Sequence, residues 1–482
     1  MNAGAYFGVF VRNWEAFGFA NVRGLPLMPN LACDVSAATP YLHHPPALSW
    51  LFYALGGSEW AMRLPTVVAS FVASVCLYRI AATRFAPGPS FVAACLLALS
   101  PGMAVTGQAS YEVVVIACGL AVMADVVRPH RSRATSRAIR IGAAFLGTWC
   151  NWQFAFAGLA SLALVLRARD PVRSLRPVLL PGLAALAAAV SIAAWGRWAM
   201  AAEGIVSPPA ADRDVFAMVE RYVLAEHAGF GWALRHTLDV VPVTWSWWLA
   251  GSFAVGFWLL LWRVPRVALA LLAMGIAPFV VLLRPADYIW QTFFMPVAAL
   301  SGGAVCDQLW RWRAHWRGGR MVALGGAALL VGGVALTSYR VRAEAATPFF
   351  QRFGDVLSRA AAPGWSVAHG YLFGLAYYYR SPNIELQGRF TPAELRPLAA
   401  ADGEAGVGAS RGWKYLWLKP RNPALMHPAM PAYLEQFPRV RVPELENCLD
   451  EVGVAKTGGI VEAWLVTLRA PGLEGVARPS PR

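Results

Sequence analysis

Tyr41-Leu-His-His-Pro-Pro-Ala-Leu48, followed closely by Glu59-Trp-Ala-Met-Arg-Leu-Pro65, leads into a long succession of apolar blocks. Short arginine-rich segments separate the blocks, a pattern typical of a polytopic membrane protein. The 482 residues are 57% hydrophobic and 14% charged, with a mean hydropathy of +0.46, whereas soluble domains are about 25% charged. The sequence therefore predicts a helical protein that crosses a bilayer several times.

Apolar blocks of sufficient length predict ten spans, since one span needs about 20 mostly apolar residues. The block 138–167 is interpreted as two short spans broken near Cys150-Asn151-Trp152. A single long tilted helix there is the alternative, and it would reverse the side on which later loops lie. The other eight predicted spans are 64–84, 89–107, 111–127, 177–199, 243–262, 265–283, 287–308 and 320–339.

The basic residues support the ten-span count. The net charge is +15, and the arginines concentrate in loops such as 128–140, 167–176 and 311–320, all on one side in this arrangement. That side is predicted to be cytoplasmic by the positive-inside rule. Because the arginines have this role, we expect no nucleic-acid partner. The seven cysteines lack the spacing of a disulfide framework or a metal site.

Three regions follow from this topology. Residues 1–62 are predicted to be an extracytoplasmic first loop with two interfacial helices, 63–339 the transmembrane domain, and 340–482 a small extracytoplasmic α/β domain. Within the last region, strand-like runs are found at 366–368, 415–418 and 460–468, and a helical run is found at 370–380.

The N-terminus is then predicted to lie outside the cytoplasm, although neither a signal peptide nor a span precedes it. The preferred interpretation is that the true start lies upstream, so that a first span is missing from the chain as given. The alternative is a short-loop mechanism that carries the N-terminus across.

Two features in the outer loops are candidates for chemistry. His43-His44-Pro45-Pro46 holds two imidazoles in a restricted backbone, where they could bind a phosphate oxygen; the alternative is a solvated turn before a helix. Glu112 lies at the outer edge of the 111–127 span, where a carboxylate could act as a base. It could equally cap the helix and interact with its dipole.

Several further polar residues lie at outer ends of predicted spans. Glu59 and Arg63 are one helical turn apart, which also fits an ion pair that anchors the helix. Asp287-Tyr288 and Gln291 could line a cavity or simply anchor the helix at the interface. Asp34 is an acid in the first loop without a fixed structural context.

The order of the motifs resembles the GT-C superfamily of glycosyltransferases, in its protein-mannosyltransferase and aminoarabinose-transferase-like branch. The resemblance covers roughly residues 1–310 and is carried by Arg12-Asn-Trp-Glu-Ala-Phe-Gly18, Tyr41–Leu48, Ser58–Pro65 and Leu99-Ser-Pro101. It implies inverting transfer of a hexosyl or pentosyl group from a polyprenyl-phosphate donor. The acceptor would be a lipid, a polysaccharide or a protein of the cell envelope.

The resemblance also implies roles for individual residues. Glu112 and His44 would be catalytic, although the spacing from Gly107 to Glu112 is shorter than the family pattern. The main catalytic or metal-binding acid of the family would fall at or before Met1, so a divalent metal is the one cofactor the resemblance allows, with its ligands unknown. Combined with the positions of the polar residues in the outer loops and at span ends, the resemblance selects a set of residues for the donor phosphate: His43, Arg12, Arg63, Tyr288 and Gln291. Asp34, Glu59 and Asp287 are additional candidate acids.

The leading hypothesis is therefore a multi-pass glycosyltransferase of the bacterial inner membrane, whose partners are the lipid-linked donor, the cell-envelope acceptor and the bilayer. A lipid-linked-sugar transporter or flippase and a non-catalytic GT-C-like protein are the alternatives. A transporter should carry polar residues near the middle of its spans, whereas the acids here gather at outer ends.

Overall fold

Helices make up most of the structure. The computed structural model describes residues 3–27, 45–106, 111–129, 132–155, 157–158, 164, 171–202, 245–282, 292–313, 315, 318–345, 349–361, 365–370, 383–386, 392, 395, 413–420, 428–451 and 460–468. The first seven helices are α1 Ala3–Phe17, α2 Ala47–Ala54, α3 Glu59–Ala81, α4 Pro87–Leu99, α5 Pro101–Thr106, α6 Tyr111–Val127 and α7 Arg133–Cys150. Those that follow are α8 Pro171–Ala202, α9 Trp247–Arg263, α10 Pro265–Leu282, α11 Met295–Trp312, α12 Gly319–Ala345, α13 Phe349–Ala361, α14 Met430–Leu434 and α15 Pro443–Glu451.

The chain divides into two compact units. The helical unit comprises Tyr41–Met200 and Ser207–Ala346. The sheet unit comprises Met1–Pro40, Ala201–Val206 and Thr347–Arg482. The helical unit thus contains α2 to α12 apart from the last residues of α8, while α1 and the five strands described below belong to the sheet unit.

Three helices of the described chain are long and apolar enough to cross a membrane: Trp60–Ala81, Leu179–Ala202 and Gly319–Val341. Two shorter apolar helical segments lie at Pro87–Leu99 and Pro265–Ala277. Large apolar side chains on the long helices are exposed, which is expected of surfaces that contact lipid rather than water. These helices support the predicted helical membrane fold.

Polar contacts fix the directions of the first helices. Arg79, near the end of α3, donates to the carbonyl oxygen of Arg128, just past the end of α6, at 3.1 Å. Helices α3 and α6 therefore run in the same direction. The Ser136 hydroxyl of α7 donates to Asp125 near the end of α6 at 3.0 Å, so α7 begins where α6 ends. We call this end of the helical unit the arginine-rich end and the opposite one the Glu112 end.

The break predicted at Cys150-Asn151-Trp152 is present. Helix α7 ends at Cys150, and Asn151 has extended backbone angles of φ −162° and ψ 139°. The Trp50 ring of α2 lies 5.4 Å from the Trp149 ring of α7 and 5.0 Å from the Trp195 ring of α8. The later residues of α7 and of α8 both lie at the Glu112 end, so the two helices run in the same direction. The chain must therefore cross back between them, which agrees with the predicted break.

The sheet unit contains a five-stranded mixed sheet in the order β2-β1-β3-β5-β4. Strand β1 is parallel to both of its neighbours, β2 and β3. Strand β5 is antiparallel to both of its neighbours, β3 and β4. The strands are β1 Ser366–Gly370, β2 Asn383–Leu386, β3 Trp413–Pro420, β4 Arg439–Arg441 and β5 Ile460–Leu468. Strands β1, β3 and β5 contain the three strand-like runs predicted from sequence. The predicted helical run 370–380 lies outside the described residues except for Gly370, which ends β1.

Two apolar clusters cover the faces of this sheet. Phe353 and Leu357 of α13 pack with Leu445 of α15 against one face. Trp413, Tyr415 and Trp417 of β3 pack with α14 against the other face. Alternate residues of β3 thus enter opposite clusters, as the two-residue period of a strand requires.

Glu446 links three elements of the sheet unit. Its carboxylate accepts two hydrogen bonds at 2.9 Å from the guanidinium of Arg441 and one at 2.9 Å from the backbone N–H of Ala463. The Arg441 guanidinium, assisted by this backbone donor, holds the pKa of Glu446 below its usual value. The contribution of Glu446 to stability is therefore full above its unfolded-state pKa, about 4.3, and is lost as the pH falls through the lower folded-state pKa.

We expect hydrogen exchange of residues 439–451 and 460–468 in the full-length protein to lose protection, relative to intrinsic rates, as the pH falls below about 4. The loss should be roughly fivefold or less, because the Arg441 side chain is 48% exposed. Glu446→Gln should weaken this pH dependence and leave the part due to Glu462, whose pKa is lowered by the Trp464 N–H and Lys419. Glu444→Gln, an exposed change on the same helix, should retain the full dependence. Equal pH profiles for the wild type and Glu446→Gln would contradict the assignment.

Candidate functional site at the Glu112 end

Glu112 is the second residue of α6 and is buried, with 7% of its surface exposed. The first turn of a helix has free N–H groups and a positive dipole end, which favour a carboxylate. Glu112 is thus a carboxylate at a helix N-terminus that is enclosed from solvent. A carboxylate at a buried helix start can take up a proton away from bulk water, which is the chemistry of a general base.

A hydroxyl pair ties α2 to this helix start. The Tyr111 and Ser49 hydroxyl oxygens are 3.3 Å apart, and both residues are buried. Helix α2, the second interfacial helix predicted from sequence, is thereby held beside Glu112.

The break after α7 lies at the same level. Ser136 of α7 is bonded to Asp125 of α6, so positions along both helices can be measured from this contact. Glu112 lies about 20 Å from Asp125 along α6, and Asn151 lies about 22 Å from Ser136 along α7. Beyond the break the chain packs back on both helices: a Cβ on Gly147 would lie 2.3 Å from the Phe154 ring, and one on Gly119 would lie 2.6 Å from Ala157. Glycine at these two positions permits that close approach.

The turn at the break buries two amides. Asn151 is 1% exposed and Gln153 is 8% exposed. The Asn151 Oδ1 accepts the backbone N–H of Gln153 at 3.0 Å, a local bond typical of turn residues. The Asn151 Nδ2 and the Gln153 Oε1 have no hydrogen-bond partner among the described residues.

Only some of the residues predicted from sequence lie within the described chain. Arg63 is half-buried on α3 and lies at the same end of the helical unit as Glu112. Arg12 is half-buried on α1 in the sheet unit, and Glu59 is the first residue of α3. His43, His44, Asp34, Asp287, Tyr288 and Gln291 lie outside the described residues.

The structure also places residues at this end that sequence reasoning did not select. Ser49 and Tyr111 are 62 positions apart, and no local pattern connects them. Asn151 and Gln153 gave a stronger signal, because polar residues inside a long apolar block usually have a function. In the sequence Asn151 marked the predicted break, whereas Gln153 was assigned no role.

The described residues contain no group of three His, Cys, Asp or Glu side chains that could hold a metal ion. The described side chains at the Glu112 end provide a carboxylate, hydroxyls and amides.

Known proteins match this chain chiefly by structure. The family model of dolichyl-phosphate-mannose-protein mannosyltransferases matches residues 43–195, the range that contains α2, Glu112 and the break. No curated protein matches the sequence. The structure of ArnT from Cupriavidus metallidurans bound to undecaprenyl phosphate is similar at 16% identity and a TM-score of 0.62, with 98% of this chain and 94% of that one covered.

The chain has the GT-C fold. Two further solved GT-C structures are similar to it. The oligosaccharyltransferase of Archaeoglobus fulgidus has 12% identity and a TM-score of 0.52, with 79% of this chain and 60% of that one covered. The mycobacterial arabinofuranosyltransferase AftD has 15% identity and a TM-score of 0.51, with 97% of this chain and 38% of that one covered. The predicted GT-C resemblance is confirmed.

Proposed function

We propose that this GT-C chain is an integral-membrane glycosyltransferase that transfers a sugar from a polyprenyl-phosphate donor to a lipid, polysaccharide or protein acceptor of the cell envelope. The burial of Glu112 at the end opposite the arginine-rich one is the observation that carries the proposal. The fold shared with ArnT, which was solved with undecaprenyl phosphate, supports the choice of donor. We place the reaction at the outer face of the bacterial inner membrane, because the arginine-rich end fits the cytoplasmic side.

The proposed reaction proceeds with inversion. The acceptor hydroxyl oxygen attacks the anomeric carbon, and the bond from that carbon to the phosphate oxygen breaks. Polyprenyl phosphate leaves with the electron pair, while Glu112 takes the hydroxyl proton. In this proposal Arg63 and the His43-His44 pair hold the departing phosphate, whose charge increases as the bond breaks.

The positions of the other buried acids favour an enzyme over a transporter. Asp125 and Asp307 lie near the C-terminal ends of α6 and α11, where each forms an ion pair with arginine. A transport pathway would require polar groups near the middle of the helices. Buried acids of the described helical unit instead lie at helix ends.

Glu112→Gln is expected to lower the turnover of donor by 10²–10⁴-fold, the usual contribution of a general base. The measurement is transfer in membranes supplied with a panel of synthetic polyprenyl-phosphate sugars, alongside donor binding to the purified protein. Binding should change little, because glutamine has the shape of glutamate.

Glu435→Gln, which changes an exposed acid of the sheet unit, is the matched control and should retain wild-type turnover. Transfer by Glu112→Gln within tenfold of the wild type would reject Glu112 as the base. Absence of both transfer and donor binding in the wild type across the panel would reject the function itself.

A further inference from the structure

Unpartnered polar atoms concentrate at the break after α7. Four buried side-chain atoms without a hydrogen-bond partner in the described chain belong to residues 149–153: Trp149 Nε1, Asn151 Nδ2, Trp152 Nε1 and Gln153 Oε1. More than nine-tenths of buried polar groups in proteins are paired, because leaving one unpaired costs free energy. Three donors and one acceptor on adjacent residues therefore indicate a ligand that pairs with them.

We propose that Asn151 and Gln153, which we call the amide pair, bind hydroxyl groups on the sugar of the lipid-linked donor. A sugar hydroxyl donates one hydrogen bond and accepts others. It can therefore accept from the Asn151 Nδ2 and donate to the Gln153 Oε1. A phosphate offers acceptors alone at neutral pH and would leave the Gln153 oxygen unpaired.

The position of the amide pair fits this role. It lies at the level of Glu112, the proposed base, as the helix lengths from Asp125 and Ser136 require. The local bond from the Gln153 N–H to the Asn151 Oδ1 holds the turn, so one amide oxygen positions the loop while the amide nitrogen is left for a ligand. The Trp149 indole, whose ring lies 5.4 Å from that of Trp50, adds apolar surface beside the amide pair.

This inference rests on the proposed function and concerns specificity rather than proton transfer. A site built to bind a substrate hydroxyl rejects the analogue without it strongly, because its own polar groups are left unpaired. The amide pair is thus predicted to determine which sugars are accepted. Glu112, in contrast, should affect all donors equally.

Asn151→Asp and Gln153→Met separate these contributions. Aspartate retains the oxygen that accepts the Gln153 N–H but lacks the Nδ2 donor, and methionine removes the side-chain acceptor while retaining the length. For the best sugar of the panel, each variant is expected to lower kcat/KM by about 10–100-fold. For the deoxy donor that lacks the recognised hydroxyl, the change should be less than about threefold, so that discrimination between the two donors decreases. Gln436→Met, an exposed change in the sheet unit, is the control and should leave discrimination unchanged.

A binding measurement makes the test independent of turnover. Thermal stabilisation by the intact donor is compared with stabilisation by polyprenyl phosphate alone, in the wild type and in both variants. The extra stabilisation due to the sugar should be lost in the variants, while that due to the lipid phosphate remains. If both variants retain wild-type discrimination and the sugar-dependent stabilisation, the amide pair does not bind the sugar, even though the proposed function stands. If the wild type binds neither ligand and transfers no sugar, the proposed function is wrong, and the proposal that the amide pair binds a donor sugar is wrong with it.

Discussion

Gly256→Ala is expected to prevent the normal packing of α9 on α11 and to lower the yield of correctly folded protein severely. A Cβ at Gly256 would lie 2.1 Å from the carbonyl oxygen of Ser301 and 2.6 Å from its carbonyl carbon. Both atoms belong to the backbone of the neighbouring helix and cannot rotate away. Relief would require the two helices to separate, which would remove the van der Waals contacts that small residues provide in membrane proteins.

The expected loss is more than about 3 kcal/mol, the upper range for overpacking in a well-packed interior. The measurement is the yield of monodisperse protein in detergent together with its melting temperature. Gly251→Ala, on the same helix with no atom within 4 Å of the added carbon, is the control and should be neutral or slightly stabilising, because alanine is the better helix former. If both variants melted within two degrees of the wild type, the close contact of α9 with Ser301 would be wrong.

The same region shows what the sequence could not predict. The apolar blocks predicted α9 and α11, since length and composition are enough to identify a span. They did not predict that Gly302 faces Leu96 while Gly303 faces Ala93 of α4. Hydropathy identifies spans but contains no signal for the neighbour of a given helix face. Pairings between distant helices therefore had to come from the structure.

The candidate site was predicted in part, for related reasons. Glu112 could be selected because a carboxylate at the edge of an apolar block stands out, and the structure places it at a buried helix start. The Tyr111–Ser49 contact depends on a fold that brings α2 to α6, and no spacing rule connects the two residues. His44 was selected from the paired prolines that follow it; its role stays a prediction, because it lies outside the described residues.

Asp307→Asn is expected to have the second large effect, at the arginine-rich end. Asp307 is 1% exposed and accepts hydrogen bonds from Arg263 at 2.6 Å, from Arg311 at 2.8 Å and from the backbone N–H of Ala86 at 3.1 Å. One carboxylate thus joins α9, α11 and the start of α4. The sequence gives no indication of this role, because the partner Arg263 is 44 positions away.

The two arginines should differ in their contributions. The Arg263 side chain is 13% exposed and that of Arg311 is 56% exposed. Removing the carboxylate leaves the Arg263 charge largely buried without its counter-ion, which costs about 3–5 kcal/mol in comparable buried pairs. Arg311 can turn toward solvent, so its contact with Asp307 should contribute less than about 1 kcal/mol.

Melting temperatures of Asp307→Asn, Arg263→Gln and Arg311→Gln therefore test the arrangement. The first two should be strongly destabilised and the third only slightly. The double variant Arg263→Gln with Asp307→Asn should be more stable than the sum of the single losses predicts, because neither charge is then left buried alone. Additive losses in that double variant, or an Arg311→Gln loss as large as that of Asp307→Asn, would contradict the view that the buried Arg263–Asp307 pair holds the arginine-rich end together.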